Sequence, residues 1–144
     1  MGFGGSSLYC GAKFALEGTS EALTKEVEPF GIKVTLIEPG AFRTDFNGRS
    51  LAVAERSIDA YATMSDAALQ WFKAMDGKQP GDPAKAAQAL IQAVESPHPP
   101  MRLALGTDAM SLIQEKLEWV KTDLDTWQSV TVSTDYPEPV TSTK

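Results

Sequence analysis

Tyr9 and Lys13 stand four residues apart near the start of the chain. On a helix, that spacing puts both side chains on one face, about one turn apart. The chemistry that uses such a pair is proton transfer to or from an alcohol or carbonyl oxygen. A free phenol, with a pKa near ~10, is a poor base at neutral pH. A cation held beside it favours the phenolate and brings it toward working range. The long lysine stem also lets its ammonium reach a sugar hydroxyl of a bound cofactor. A packed tyrosine beside an unrelated surface lysine is the plainer reading, and the pair alone does not displace it.

A second group of residues shifts the balance. Glu38-Pro39-Gly40 follows directly on an apolar, β-branched run, and Thr44 comes shortly after. Pro39 has no N–H and Gly40 no Cβ, so the chain there can turn sharply and lie close to a ligand. Thr44 offers a hydroxyl that both donates and accepts, as a carboxamide requires. Open α/β sheets bind ligands at the carboxyl ends of their strands, and this turn falls at such an end.

Positioning these groups takes a helix and a strand, and the pattern predicts both. From Leu8 to Phe30, apolar or small residues recur at Leu8, Ala12, Ala15, Thr19, Ala22, Leu23 and Val27, the helical period. Ser6 or Ser7 is placed to cap the start, and Pro29 and Gly31 end it. Gly11, Ala15, Gly18 and Ala22 form a stripe of small side chains. Gly18 in mid-helix costs about 1 kcal/mol against alanine, which close packing of another backbone would offset. Ile32 to Ile37 reads as a strand covered on both faces of a parallel sheet.

Beyond the Ala41–Gly48 loop, Leu51 to Met75 is helical in composition. Asp82-Pro83 is an N-cap followed by proline at the first helical position, opening a helix to Glu95. Met101 to Leu105 reads as a second strand. Asp108 then caps a helix to about Lys121, which Leu124, Trp127 and Val130 extend after a kink. Residues 134–144 are proline-bearing and polar and read as a disordered tail.

Taken in order, Tyr9-Cys10-Gly11-Ala12-Lys13, Phe14 to Gly18, Ile32 to Ile37 and Pro39 to Thr44 resemble the short-chain dehydrogenase/reductase family. The resemblance spans at least Tyr9 to Asp45, and extends less specifically through Gly77–Ala87 and Arg102–Ala109. It implies an α/β fold: the C-terminal part of a doubly wound, Rossmann-like parallel sheet, incomplete, over residues 1–133, with 46–76 as a substrate lid. By resemblance, Tyr9 is the general acid/base, and Lys13 binds the nicotinamide ribose and lowers the tyrosine pKa. Pro39, Gly40, Phe42 and Thr44 line the nicotinamide, with Thr44 near its carboxamide. The implied cofactor is NAD(P)(H), with no basis for choosing NAD or NADP. The implied partner is a small alcohol or carbonyl compound, lipophilic or aromatic rather than charged. Phe46, Tyr61 and Trp71 are wall candidates, although ordinary helix packing explains them more simply.

The family's glycine-rich phosphate loop, its Asn-Ala-Gly segment and its catalytic serine all precede the tyrosine, and only eight residues precede Tyr9 here. Ser6 and Ser7 lie too near it for that role. Gly2-Phe3-Gly4-Gly5 has no strand before it, and the GxGxxG pattern fails at Ser7. The expectation is therefore a fragment with two parallel strands, inactive alone, with open sheet edges and apolar faces. The rival expectation is a non-catalytic interaction module, forming a homo-oligomer through the helix over residues 8–28.

Composition narrows the remaining classes. A net charge of −6 and a pI near 4.7 argue against nucleic acid or anionic membrane as partners. The 42% hydrophobic and 22% charged content suits one modest globular domain. One cysteine, Cys10, excludes an internal disulfide and a cysteine-built zinc site. His98 has no ligand partner at metal spacing, so no metal is expected. No apolar run approaches the ~20 residues that span a bilayer, and Met1–Ser7 lacks a signal-peptide pattern, so a cytoplasmic protein is expected.

Overall fold

In the computed structural model, which describes residues 1–55 and 58–136, the first predicted helix forms as α1, Ser7–Val27. A 3-10 turn over Glu28–Phe30 follows, closed by Gly31 at φ 72°, a backbone conformation that favours glycine. Ser6 occupies the N-cap position, but its side chain makes no capping hydrogen bond. The remaining elements are β1 (Leu36–Pro39), α2 (Ala62–Met75), α3 (Pro83–Glu95), β2 (Arg102–Leu105) and α4 (Thr107–Val132). Asp82 caps α3 as its sequence predicts, accepting from the Ala84 N–H at 2.9 Å.

β1 and β2 form a two-stranded parallel sheet, with Leu36 opposite Arg102 and Pro39 opposite Leu105. The strand therefore starts later than the Ile32–Ile37 run suggests. A ladder begins only where a neighbour can bond it, and β2 begins opposite Leu36. Ahead of it, the Thr35 hydroxyl donates to the Pro100 carbonyl at 2.8 Å. The sequence also starts the second helix too early: α2 begins at Ala62, after a 3-10 turn at Asp59–Tyr61. Residues 51–55 have helical composition, but propensity alone rarely holds a short helix.

Two expectations for α4 are corrected. It runs as one unbroken helix to Val132, well past Lys121, with no proline or glycine inside it to end it. Its N-cap is Gly106 rather than Asp108. Residues 133–136 close the helix in a turn, and the rest of the predicted tail lies outside the described residues, as do Arg56 and Ser57 of the lid.

Among the described residues, the buried apolar ones are Leu36, Ala93, Leu105 and Ala109, one each from β1, α3, β2 and α4. No residue of α1 is buried, and Phe14, Leu16 and Leu23 on it are exposed. Polar contacts hold α1 to the sheet instead. Arg102, on β2, pairs with Glu17 and Glu21 of α1 and, at 2.6 Å, with Glu38 of β1. Hydrogen bonds that its guanidinium donates to Glu17 and Glu38 raise the arginine pKa further above its already high ordinary value. The Thr24 hydroxyl lies 3.0 Å from the Met101 sulfur. The C-terminal part of α1 thus lies where β2 begins.

Replacing Arg102 with alanine leaves three carboxylates without their shared cation. The Arg102→Ala chain is expected to lose about 1 kcal/mol in urea unfolding, the modest size reflecting solvent exposure of the pairs. The loss should shrink in high salt. An unchanged unfolding midpoint would mean that the network contributes nothing to holding α1.

Candidate active site

The N-terminal turns of α1 carry Tyr9 and Lys13 to the other end of the sheet. The Tyr9 ring sits 6.2 Å from the ring of Phe46, tilted by 55°. Phe46 lies in the loop that leaves the carboxyl end of β1, so α1 runs antiparallel to the strands. The Lys13 Nζ is 5.5 Å from the centre of the Tyr9 ring. Tyr9 is half-exposed, at 52%. Neither the Tyr9 hydroxyl nor the Lys13 ammonium has a hydrogen-bonding or ionic partner among the described residues. A proton donor and a cation thus stand open side by side at the strand ends.

The turn after β1 is held from two sides. The Gly40 N–H donates to the Leu105 carbonyl at 2.8 Å, which extends the ladder by one bond. The Ala41 N–H then donates to the Asp108 carboxylate at 2.6 Å. On the other side, the Gly81 N–H donates to the Ala41 carbonyl at 2.9 Å, and the Arg43 N–H to the Gly81 carbonyl at 3.0 Å. Phe42 pairs with Gly81 as an isolated parallel bridge, and the Arg43 guanidinium donates to the Gln79 carbonyl at 3.1 Å.

This geometry changes the reason for glycine at position 40. A Cβ there would lie 2.1 Å from the Asp108 carboxylate oxygen, far inside contact distance. The small residue lets an internal carboxylate approach the turn, whatever ligand also comes near. Phe42 is half-buried, its ring so close to Gly81 that a Cβ on that glycine would lie 2.6 Å from it. Thr44 is exposed, and its hydroxyl accepts from the Phe46 N–H at 3.4 Å, leaving its own proton free to donate.

Sequence reasoning missed Asp108, Gly81 and Gln79. Asp108 carries a helix-cap signal, and nothing local says that its carboxylate caps a loop 67 residues away. The Gln79 side chain is 1% exposed, with neither of its amide atoms partnered among the described residues. Of the three wall candidates, Phe46 meets Tyr9. Trp71 packs edge-on against Phe72 at 5.2 Å, and Tyr61 is exposed. A cleft of about 410 Å³ opens between the post-β1 loop at Asn47 and Leu51 and α2 at Leu69 and Lys73.

Comparison with known proteins agrees with the geometry. The family model described as short chain dehydrogenase matches residues 1–54. A crystal structure of a short-chain dehydrogenase from Streptomyces avermitilis superposes with a TM-score of 0.82 at 43% identity, covering 94% of this chain and 49% of that one. An oxidoreductase of Botryotinia fuckeliana is 32% identical over 133 residues, 92% of this chain and 48% of the relative. A protein of Bacteroides thetaiotaomicron named 3-ketodihydrosphingosine reductase is 33% identical over 83% of this chain and 45% of its own length. The chain thus spans about half the length of the proteins it matches.

The close approach at Gly40 makes a double-substitution test possible. Gly40→Ala is expected to cost about 1–3 kcal/mol in urea unfolding, because the methyl collides with the Asp108 carboxylate. Combined with Asp108→Ala, the added cost of Gly40→Ala should fall below half that value. Additive costs would mean that the two residues do not meet.

Proposed function

The chain belongs to the short-chain dehydrogenase/reductase family, and from that premise we propose that it carries the reactive half of an NAD(P)-dependent oxidoreductase interconverting an alcohol and a carbonyl. The observation that carries this reading is the Tyr9–Lys13 pair. Both polar ends are open, at the carboxyl end of a parallel sheet, with Tyr9 beside the loop that bears Thr44.

A nicotinamide dinucleotide, held by these residues, would supply hydride chemistry at the carbonyl carbon. Tyr9 gives its hydroxyl proton to the carbonyl oxygen as that oxygen gains charge, or takes the proton back from the alcohol. Lys13 would stabilise the phenolate left behind and would donate to the ribose hydroxyls of the cofactor. Thr44 would offer its hydroxyl to the carboxamide, and Pro39, Gly40 and Phe42 would line the nicotinamide. The residues present fit the nicotinamide end alone. No glycine-rich loop in this sequence suits the phosphates, and the choice between NAD and NADP rests with residues outside it.

The chain is, in this proposal, a C-terminal half that needs an upstream segment carrying the phosphate loop and a carbonyl-polarising serine. Its span of about half its relatives supports this, as do the uncovered apolar residues of α1. The substrate class is a small lipophilic ketone or alcohol. Exposed Phe46 and Tyr61 support that class, as does the relative named for 3-ketodihydrosphingosine. A purely packing module would account for the open Gly11 and Gly18, which have nothing within 4 Å, but not for the open polar ends of Tyr9 and Lys13.

The test begins with the DNA upstream of Met1, translated in frame. If it encodes a strand, a glycine-rich loop and a serine, the joined protein should oxidise NAD(P)H in the presence of lipophilic ketones. Tyr9→Phe should lower kcat roughly a thousandfold. Turnover indifferent to Tyr9→Phe would overturn the assignment. An upstream stop codon, with no turnover when the matching half of a relative is added, would do so as well.

A further inference from the structure

α4 is 26 residues long, ~39 Å at the helical rise, and most of it leaves the body of the molecule. Ala109 is buried and Leu112 and Ile113 are half-buried where the helix departs from β2. The apolar side facing away is open: Met110, Leu117, Val120, Leu124 and Trp127 are between 42% and 63% exposed. With Ile113, these residues recur at alternating spacings of three and four, the seam of a two-helix coil rather than scattered surface residues.

We propose that this seam recognises itself, two copies of the chain pairing α4 with α4, antiparallel, about a two-fold axis between Glu118 and Trp119. In that register Met110 meets the partner's Trp127, Ile113 the partner's Leu124, and Leu117 the partner's Val120. Symmetry repeats each layer on the other side of the axis. The long thioether against the indole is a favourable match in shape and in sulfur–aromatic contact.

Charge selects both the occupant and the direction. The flanking positions bring Lys116 to the partner's Asp123, twice by symmetry, and Gln114 to the partner's Lys121. A parallel pair would instead set Lys116 against the partner's Lys121 and repel. Within one chain, Lys121 is already bridged to Asp125. Lys116 and Asp123 form no ion pair among the described residues, and Lys116 lies over the Trp119 ring at 3.9 Å. Both charges that the antiparallel register uses are thus without an ion pair inside their own chain, among the described residues. A self-complementary patch of this kind is what a two-fold interface requires. The inference rests on α4 alone and stands or falls separately from the catalytic reading. It also places self-association on a different helix from residues 8–28.

The test is sedimentation of the full chain carrying Cys10→Ser, alone and with Lys116→Asp, Asp123→Lys or both. A dimer is expected in which each single reversal weakens association about tenfold or more. The double swap should restore the parent affinity. Circular dichroism of each variant checks that the helices persist. Mixing Met110→Cys and Trp127→Cys copies under mild oxidation should cross-link unlike copies. A monomer, a dimer insensitive to either reversal, or failure of the double swap to rescue would each overturn the proposal. So would cross-links between two Met110→Cys copies, or release of the dimer by an added upstream half that takes over the seam.

Discussion

Arg102 sits where three elements must agree. It projects from β2 toward two glutamates of α1 and one of β1, and α1 has no buried residue to hold it by apolar packing. Where burial holds a helix, small rotations are resisted along its whole length. Where a few charged contacts hold it, the helix is fixed mainly at the charges. The orientation of α1, and with it the arrival of Tyr9 at the strand ends, therefore depends on a cation at the opposite end of the sheet. Thr24 beside Met101 and Tyr9 beside Phe46 mark the two ends of that alignment.

At the strand ends the turn is built differently. Backbone hydrogen bonds to Leu105 and Gly81 fix its path, and the Asp108 carboxylate takes the Ala41 N–H. A carboxylate accepting a backbone N–H is among the stronger hydrogen bonds available to a loop. Gly40 is the residue that lets it come so close. The site thus joins a rigid turn, tied by backbone geometry, to a helix end set by distant ion pairs. Tyr9 and Lys13 remain open between them.

The small core follows from the two-stranded sheet. Parallel sheets are ordinarily covered on both faces, and here only Leu36 and Leu105 of β1 and β2 are buried. The exposed side chains of α1 and the free seam of α4 are two faces of different character. The first is broad and uncovered, consistent with a chain that spans half of its relatives. The second is narrow, periodic and flanked by opposite charges, which suits pairing with its own copy.

The amino-acid sequence alone determined what depends on local order. The α1 period and its end at Pro29-Gly31, the Asp82-Pro83 start of α3, the Pro-Gly turn after a β-branched run and the Tyr9–Lys13 spacing are read within a few residues of themselves. The family resemblance rests on the same local motifs. Tertiary structure alone decided the boundaries and partners. β1 starts at Leu36 because the ladder needs β2 opposite it, and Asp108 serves Ala41 rather than its own helix. A carboxylate that could cap either of two backbones leaves the same trace in sequence. Only the fold, by bringing residues far apart in the chain within hydrogen-bond distance, determines which one it reaches.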